Sequence, residues 1–211
     1  FLSHFGLKPL VAIKLYKTYG DEALAAVKDN PYIMADEQFG ADFYEADAVA
    51  LSLGFDSDCA ERVESAVLFE LYHNLDNGHT FLPYDKLVAA TNQLIDVGHQ
   101  TVADAVDALC ESGFMVREPV AGVDACYLEA FHDAEQFIAQ RLLAMSDDPV
   151  ADTADIGALV SEVEREYGIT YARLQYQAVE MAAKSRIMVL TGGPGTGKTT
   201  CVRGIIALFD K

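Results

Sequence analysis

Long apolar runs, paired cysteines and the features of a secretion signal are all missing from this sequence. No uninterrupted apolar stretch approaches the roughly 20 residues that a membrane-spanning helix needs, and the N-terminus lacks the charged, apolar and small-residue regions of a signal peptide. The cysteines form no CxxC pair, and no histidine stands at zinc-finger spacing. We therefore expect a cytoplasmic protein with no cysteine metal site and four buried thiols, at Cys59, Cys110, Cys126 and Cys201.

Basic residues are also scarce. The chain has 15 lysines and arginines against 33 aspartates and glutamates, a formal net charge of −18. Phosphate groups bind where the local potential is positive, so a surface that binds nucleic acid everywhere is excluded. The first 30 residues hold four lysines against three acids, whereas residues 31–70 hold ten acids against one arginine. Any DNA contact in the first part of the chain must therefore be local.

Both ends of the sequence resemble cut ends. The chain begins with Phe1 rather than methionine, and it stops at Lys211 within an apolar pattern typical of a helix. We expect it to be part of a longer protein.

Helical spacing of apolar residues predicts a mainly α fold. Residues 1–56 contain two segments of helix, tight glycine turn and helix, with the turns at 6–9 and 39–42. Residues 57–147 show three helices, then two short strands over 114–118 and 125–128, and one more helix. Three helices followed by a hairpin outline a winged-helix-like module.

Residues 148–211 begin with a linker that contains proline and several aspartates, and they continue with helices over 156–167 and 171–183. Residues 186–191 then form a short, nearly continuous apolar run typical of a strand buried on both faces. The sequence therefore predicts a buried β-strand here.

A complete phosphate-binding loop follows the predicted strand, because Gly192, Gly197, Lys198 and Thr199 match the pattern G-x-x-x-x-G-K-[ST]. Glycines let the backbone N–H groups point at a β-phosphate, Lys198 reaches the β- and γ-phosphates, and Thr199 offers its hydroxyl to Mg²⁺. The next helix directs its positive dipole end at the anion. Lys198 and Thr199 are the catalytic candidates, and the predicted nucleotide-binding loop comprises Gly192, Gly193, Pro194, Gly195, Thr196, Gly197, Lys198, Thr199 and Thr200.

Hydrolysis needs more than this loop. A second acidic motif for Mg²⁺ and the attacking water, commonly with an arginine finger, comes from later strands of the same sheet, and only eleven residues follow Thr200. We expect these 211 residues to bind ATP without turnover. A lone strand and helix cannot bury their own faces, so we expect the loop to be either poorly ordered or supported by the preceding helices.

With these features in view, the chain resembles the RecD-like ATP-dependent DNA helicases of superfamily one, the RecD/TraA type. The run LTGGPGTGKTT at 190–200 is similar to the first helicase motif of that family, including its Gly-Gly-Pro start. The run YARLQYQAV at 171–179 is similar to the Q-motif ahead of it. The resemblance implies that Gln175 contacts the adenine edge, with Gln177 as the alternative.

The N-terminal hairpins resemble the tandem helix-hairpin-helix region that precedes the motor in long members of that family, through GLKP at 6–9, YKTYGDEA at 16–23 and NPY at 30–32. Such turns usually hold a DNA phosphate on backbone N–H groups, which implies a role for Lys8, Lys14 and Lys17. The alternative is a packing scaffold. In the second hairpin we expect the scaffold, because Asp42 stands where a phosphate would approach and repels it.

The resemblance implies that residues 148–211 are a linker and the truncated start of a RecA-like α/β ATPase domain. It further implies a helicase that couples ATP hydrolysis, with Mg²⁺, to 5′→3′ translocation on DNA and to its unwinding. The implied partner is single-stranded DNA or DNA with a single-stranded tail. Other proteins are possible partners of the acidic helical surface, since the helix over 101–112 carries three acids and neither lysine nor arginine. Two alternatives stay open: another P-loop ATPase with protein-binding N-terminal helices, and a protein-interaction scaffold.

Overall fold

The first hairpin leads into a helix that starts with a proline and ends at a glycine. The computed structural model describes residues 7–147 and 155–210, so the predicted helix before the first turn and most of the predicted linker lie outside the described residues. α1 (Pro9–Tyr19) has Pro9 in its first turn, where a missing N–H costs nothing, and it stops at Gly20 with φ +57°. α2 (Ala23–Asp29) follows after a single 3₁₀ turn.

The second hairpin turns at Gly40, which has φ +81°. α3 (Phe43–Ser52) leaves this turn, and Asp42 caps it. The Asp42 carboxylate accepts a hydrogen bond from the Glu45 N–H at 2.8 Å, and the Glu45 carboxylate accepts one from the Asp42 N–H at 3.0 Å. This reciprocal capping box provides acceptors for two N–H groups at the helix start.

The next elements are connected in the order of a winged-helix module. α4 is followed by a short strand, two helices and a hairpin, over Ala60–Asp76 (α4), Phe81–Pro83 (β1), Tyr84–Ile95 (α5), His99–Glu111 (α6), Met115–Val120 (β2) and Val123–Leu128 (β3). The strands form one antiparallel sheet in the order β1-β3-β2, in which Leu82 and Arg117 both lie opposite Cys126. The structure thus contains the predicted hairpin, and β1 is an additional strand that the sequence analysis did not predict.

One hydrophobic core runs through the unit Phe1–Ala134. Its buried members include Leu15 and Phe39 from the two hairpins, and Val67 and Val106 from α4 and α6. The hairpins and the winged-helix part therefore share one core. The predicted domain boundary at residue 57 stays a prediction.

The second unit, Glu135–Lys211, contains three helices that pack on one another in pairs: α8 (Ile156–Tyr167), α9 (Arg173–Ala183) and α10 (Lys198–Phe209). α7 spans Glu129–Asp147. A small core forms among α8 to α10, and its buried members are Ile156, Val160, Tyr171, Val179 and Leu208. The predicted mainly α class is confirmed. Within the described ranges, no helix combines the length and apolar character that crossing a bilayer requires.

The strand predicted over residues 186–191 is not formed. These residues are neither helix nor strand, and Val189 is 85% exposed. A strand buried on both faces needs neighbouring strands as partners for its backbone, and the strands found among the described residues all lie in the other unit. α10 packs instead against α8 and α9, which is the support from preceding helices that the sequence analysis gave as one alternative.

Candidate nucleotide-binding site

The phosphate-binding loop contains glycines that its geometry requires. Gly197 has φ +82° at the start of α10, and a Cβ there would collide with the Gln175 side chain. A Cβ on Gly192 would lie 2.8 Å from the Thr196 Oγ1. Gly195, in the middle of the loop, has φ +75°, which L side chains rarely adopt. The backbone curvature therefore depends on glycine at Gly195 and Gly197, and Gly192 leaves room for the Thr196 side chain.

The start of α10 provides anion-binding groups. No side chain caps this helix, so the N–H groups of Lys198, Thr199 and Thr200 have no acceptor within the helix and can donate to a phosphate. The first N–H bonded inside the helix belongs to Cys201, which donates to the Gly197 carbonyl at 3.0 Å. Thr199 is exposed on this first turn. The donors and the hydroxyl fit the phosphates and Mg²⁺ that the sequence pattern predicts.

Lys198 is held against the loop by its backbone carbonyls. Its Nζ donates to the Gly192 carbonyl at 2.6 Å and to the Gly193 carbonyl at 2.8 Å. The Thr196 hydroxyl also donates to the Gly193 carbonyl, at 2.9 Å. A phosphate oxygen is a stronger acceptor for an ammonium group than a neutral carbonyl, so a bound phosphate can replace these carbonyls as the partner of Lys198.

Gln175 reaches the loop from α9. Its Oε1 accepts a hydrogen bond from the Ala172 N–H at 2.9 Å, and its Nε2 donates to the Thr196 carbonyl at 3.1 Å. Gln175 is half-buried, whereas Gln177 is exposed. Of the two candidates, Gln175 is therefore the one that contacts the loop. Its predicted contact with adenine stays a prediction.

The lysines predicted to contact DNA do not form one cluster. Lys8 precedes α1 and Lys17 lies in its last turn, roughly 13 Å further along the helix axis, and both are exposed. Lys14 is half-buried, and its Nζ lies 3.6 Å from where a Cβ of Gly40 would be, at the second turn. The start of α1 also offers few backbone donors, because Pro9 has no N–H.

The start of α3 already holds two carboxylates, those of the Asp42–Glu45 capping box. They take up N–H donors of this helix start and add negative charge there. This arrangement supports the predicted scaffold role of the second hairpin.

Sequence reasoning missed the contact between Tyr171 and Gly204. Gly204 lies in the interior of α10, and a Cβ there would collide with the Tyr171 hydroxyl. Glycine is disfavoured in helix interiors, so its presence after the phosphate-binding loop was the signal that could have indicated close packing.

The four cysteines are free, and only Cys126 and Cys201 are buried. Cys59 and Cys110 are half-buried, because parts of both side chains reach the surface of the first unit.

Two family models match the chain. Residues 1–81 match the HHH domain of the ATP-dependent RecD2 DNA helicase. Residues 175–211, which begin at Gln175 and include the phosphate-binding loop, match a AAA domain.

Curated relatives agree with these matches. An ATP-dependent RecD2 DNA helicase from Deinococcus radiodurans is 25% identical over 219 residues, covering 99% of this chain and 30% of the relative. A RecBCD enzyme subunit RecD from Mycolicibacterium smegmatis is 35% identical over 104 residues, covering 48% of this chain and 18% of the relative. A RecBCD enzyme subunit RecD from Buchnera aphidicola is 31% identical over 102 residues, covering 48% of this chain and 16% of the relative.

The chain thus spans less than a third of the length of each of these relatives. The hairpin region matches a RecD2 model, and the alignment with the RecD2 helicase covers both this region and the phosphate-binding loop, which confirms the resemblance predicted from the sequence. The chain is related to the RecD-like ATP-dependent DNA helicases and is similar to their N-terminal region.

Proposed function

We propose that this chain is the accessory region and the ATP-binding start of a DNA helicase that couples ATP hydrolysis to 5′→3′ movement along single-stranded DNA. The observation that supports this most is the contact between Gln175 and the Thr196 carbonyl in the loop, at 3.1 Å. It joins the predicted adenine contact to the predicted phosphate site, where Lys198 binds the phosphates and Thr199 holds Mg²⁺.

The winged-helix part serves as a protein-facing platform in this proposal. The exposed face of α6 carries Asp104, Asp107 and Glu111, and these acids repel a phosphate backbone. In the hairpin, Arg117 donates to Asp124 at 2.6 Å and lies over the Tyr84 ring at 3.7 Å, so its charge is already paired. An acidic helix beside a neutralised arginine fits a basic protein surface better than it fits DNA.

Nucleotide binding tests the proposal directly. Titration of the 211-residue chain with a fluorescent ADP analogue and Mg²⁺ should give saturable binding, and Lys198→Ala should weaken it by about tenfold or more, because a charge-assisted phosphate contact is lost. Lys184→Ala is the matched control, since Lys184 forms an exposed pair with Glu180 at 2.6 Å outside the loop. If the unaltered chain does not bind, or if both variants bind equally well, the proposed nucleotide site is wrong.

The same 211 residues should not turn ATP over. The segment 186–191 that precedes the loop is outside any sheet, and hydrolysis needs a second acidic motif in addition to the loop. In a phosphate-release assay with single-stranded DNA, the unaltered chain should therefore release phosphate no faster than Lys198→Ala does. Turnover that depends on Lys198 would contradict this part of the proposal.

A further inference from the structure

The Tyr171 side chain is inserted into a notch on α10. Tyr171 is 7% exposed and belongs to the small core of the second unit. Its ring carbon Cζ lies 2.8 Å from where a Cβ of Gly204 would be, and its hydroxyl lies closer still. The Val179 Cγ2 lies 3.5 Å from the same point. Only glycine leaves room for the phenol at this turn of α10.

The Tyr171 hydroxyl is buried and, within the described part of the chain, has no hydrogen-bond partner. A buried hydroxyl without a partner destabilises a fold. Hydrogen bonding therefore does not explain why this side chain is directed at α10, and the fit between the ring and the glycine notch remains as the reason.

The short stretch from Tyr171 to Gln175 contacts the phosphate-binding segment at two points. Gln175 donates to the Thr196 carbonyl in the loop, and Tyr171 lies against Gly204 six residues after Lys198, roughly 9 Å along the helix axis. The stretch is itself anchored to α8, because the Tyr171 N–H donates to the Glu164 Oε1 at 2.7 Å. One contact lies in the loop just before α10 and the other within α10, so together they limit movement of this segment along the helix axis.

We propose that Tyr171 is a positioning residue that, by packing into the Gly204 notch, sets the axial position of α10 and thus of Lys198 and Thr199 at its start. The effect on nucleotide binding rests on the proposed function of the loop. The effect on the loop backbone does not, because it follows from the packing alone.

Gly204→Ala tests this inference. Alanine is the better helix former, so propensity alone favours the variant, whereas the added Cβ displaces Tyr171. We expect about tenfold weaker binding of the fluorescent ADP analogue and faster hydrogen exchange at the amides of 192–200 without nucleotide. Gly157→Ala in α8 is the matched control, since a Cβ there would lie 3.3 Å from the movable Tyr176 hydroxyl, and it should change neither quantity.

A double variant separates positioning from general damage. Tyr171→Leu removes the atoms that collide, so Gly204→Ala combined with Tyr171→Leu should recover most of the affinity and of the protection that each single change loses. Contacting residues show this kind of non-additivity, and independent residues do not. If Gly204→Ala unfolds the second unit, as circular dichroism would reveal, the double variant must restore both the fold and the binding.

Three results would overturn the inference. The first is that Gly204→Ala has the same amide hydrogen exchange and the same nucleotide affinity as the unaltered chain. The others are that the effects of the two changes add in the double variant, or that the double variant does not recover a fold lost in Gly204→Ala. A chain that never binds nucleotide contradicts the proposed function instead. In that case, the hydrogen exchange of the loop amides still decides the positioning role of Tyr171.

Discussion

At the scale of single residues, Arg62 is buried with all of its guanidinium nitrogens in hydrogen bonds. Its Nε and Nη2 donate to the two Asp47 carboxylate oxygens at 2.8 and 3.0 Å, and its Nη1 donates to the Ser57 and Ile95 carbonyls at 2.6 and 3.3 Å. The Tyr32 hydroxyl also donates to Asp47, at 2.7 Å. This network links the hairpins to α4 and α5.

Asp47→Asn should destabilise the first unit by roughly 3 kcal/mol at pH 7, because Arg62 is left as a buried charge without a counter-ion. Chemical denaturation followed by circular dichroism measures the free energy of unfolding. Asp124→Asn is the control: it breaks the Arg117–Asp124 pair of 2.6 Å, which is exposed, and should have little effect. Equal losses in both variants would contradict a special role for the buried pair.

The cost of Asp47→Asn should also depend on pH. Burial alone would raise the pKa of Asp47, but hydrogen bonds from Arg62 and Tyr32 outweigh it and keep this pKa below its ordinary value. A carboxyl whose pKa is depressed by folding stabilises the fold above its unfolded pKa of about 4, and this stability is lost as the pH falls through the folded value. The difference in the free energy of unfolding between the unaltered chain and Asp47→Asn should therefore become smaller below about pH 4. A constant difference from pH 7 to pH 2 would exclude this linkage.

At the scale of elements, the capping box of α3 makes a local prediction. Asp42→Ala removes the acceptor of the Glu45 N–H and should lower the free energy of unfolding by about 1 kcal/mol. Asp58→Ala is the matched control, because α4 begins after Cys59 and no side chain caps it. In thermal unfolding, Asp42→Ala should have a clearly lower melting temperature than Asp58→Ala. The reverse order would contradict the capping role.

Elements with strong local signals could be predicted from the sequence. The predicted helix over 156–167 has the same bounds as α8, because Gly168 ends it in the left-handed conformation. The phosphate-binding loop follows from its glycines, and the positive φ values of Gly195 and Gly197 are local requirements. The hairpin after α6 also carried its own turn signal, at Ala121 and Gly122.

Features set by distant neighbours could not be predicted in the same way. β1 has three residues and exists through its pairing with β3, 44 positions away at Leu82 and Cys126. The apolar run 186–191 has the pattern of a buried strand, but its burial requires partner strands. The Tyr171–Gly204 contact joins a residue that precedes α9 to one inside α10, so periodicity within either helix does not reveal it.

At the scale of the whole molecule, the net charge of −18 limits how the chain can bind DNA. If Lys8, Lys14 and Lys17 each contact a phosphate of single-stranded DNA, the affinity should fall about twentyfold between 50 and 200 mM salt. Replacing all three by alanine should remove most of this salt dependence. Fluorescence anisotropy with a labelled oligonucleotide measures both quantities.

The matched control for this triple change replaces Lys86, Arg141 and Lys184, which are exposed and carry the same total charge. If the control triple weakens DNA binding equally, the contact is a general charge effect rather than a local site. If neither triple matters and no binding occurs at low salt, the hairpins act only as a scaffold.

The buried pair of Asp47 and Arg62 has a consequence for how this region can be recombined. The two residues lie on opposite sides of residue 57, so a chimera joined there would take the carboxylate from one parent and the guanidinium from the other. If one parent lacks its residue of the pair, the charged residue from the other parent would be left without a counter-ion. We therefore expect a hybrid joined at residue 57 to fold only when one parent supplies the carboxylate and the other the guanidinium, so this pair limits which relatives can be combined there.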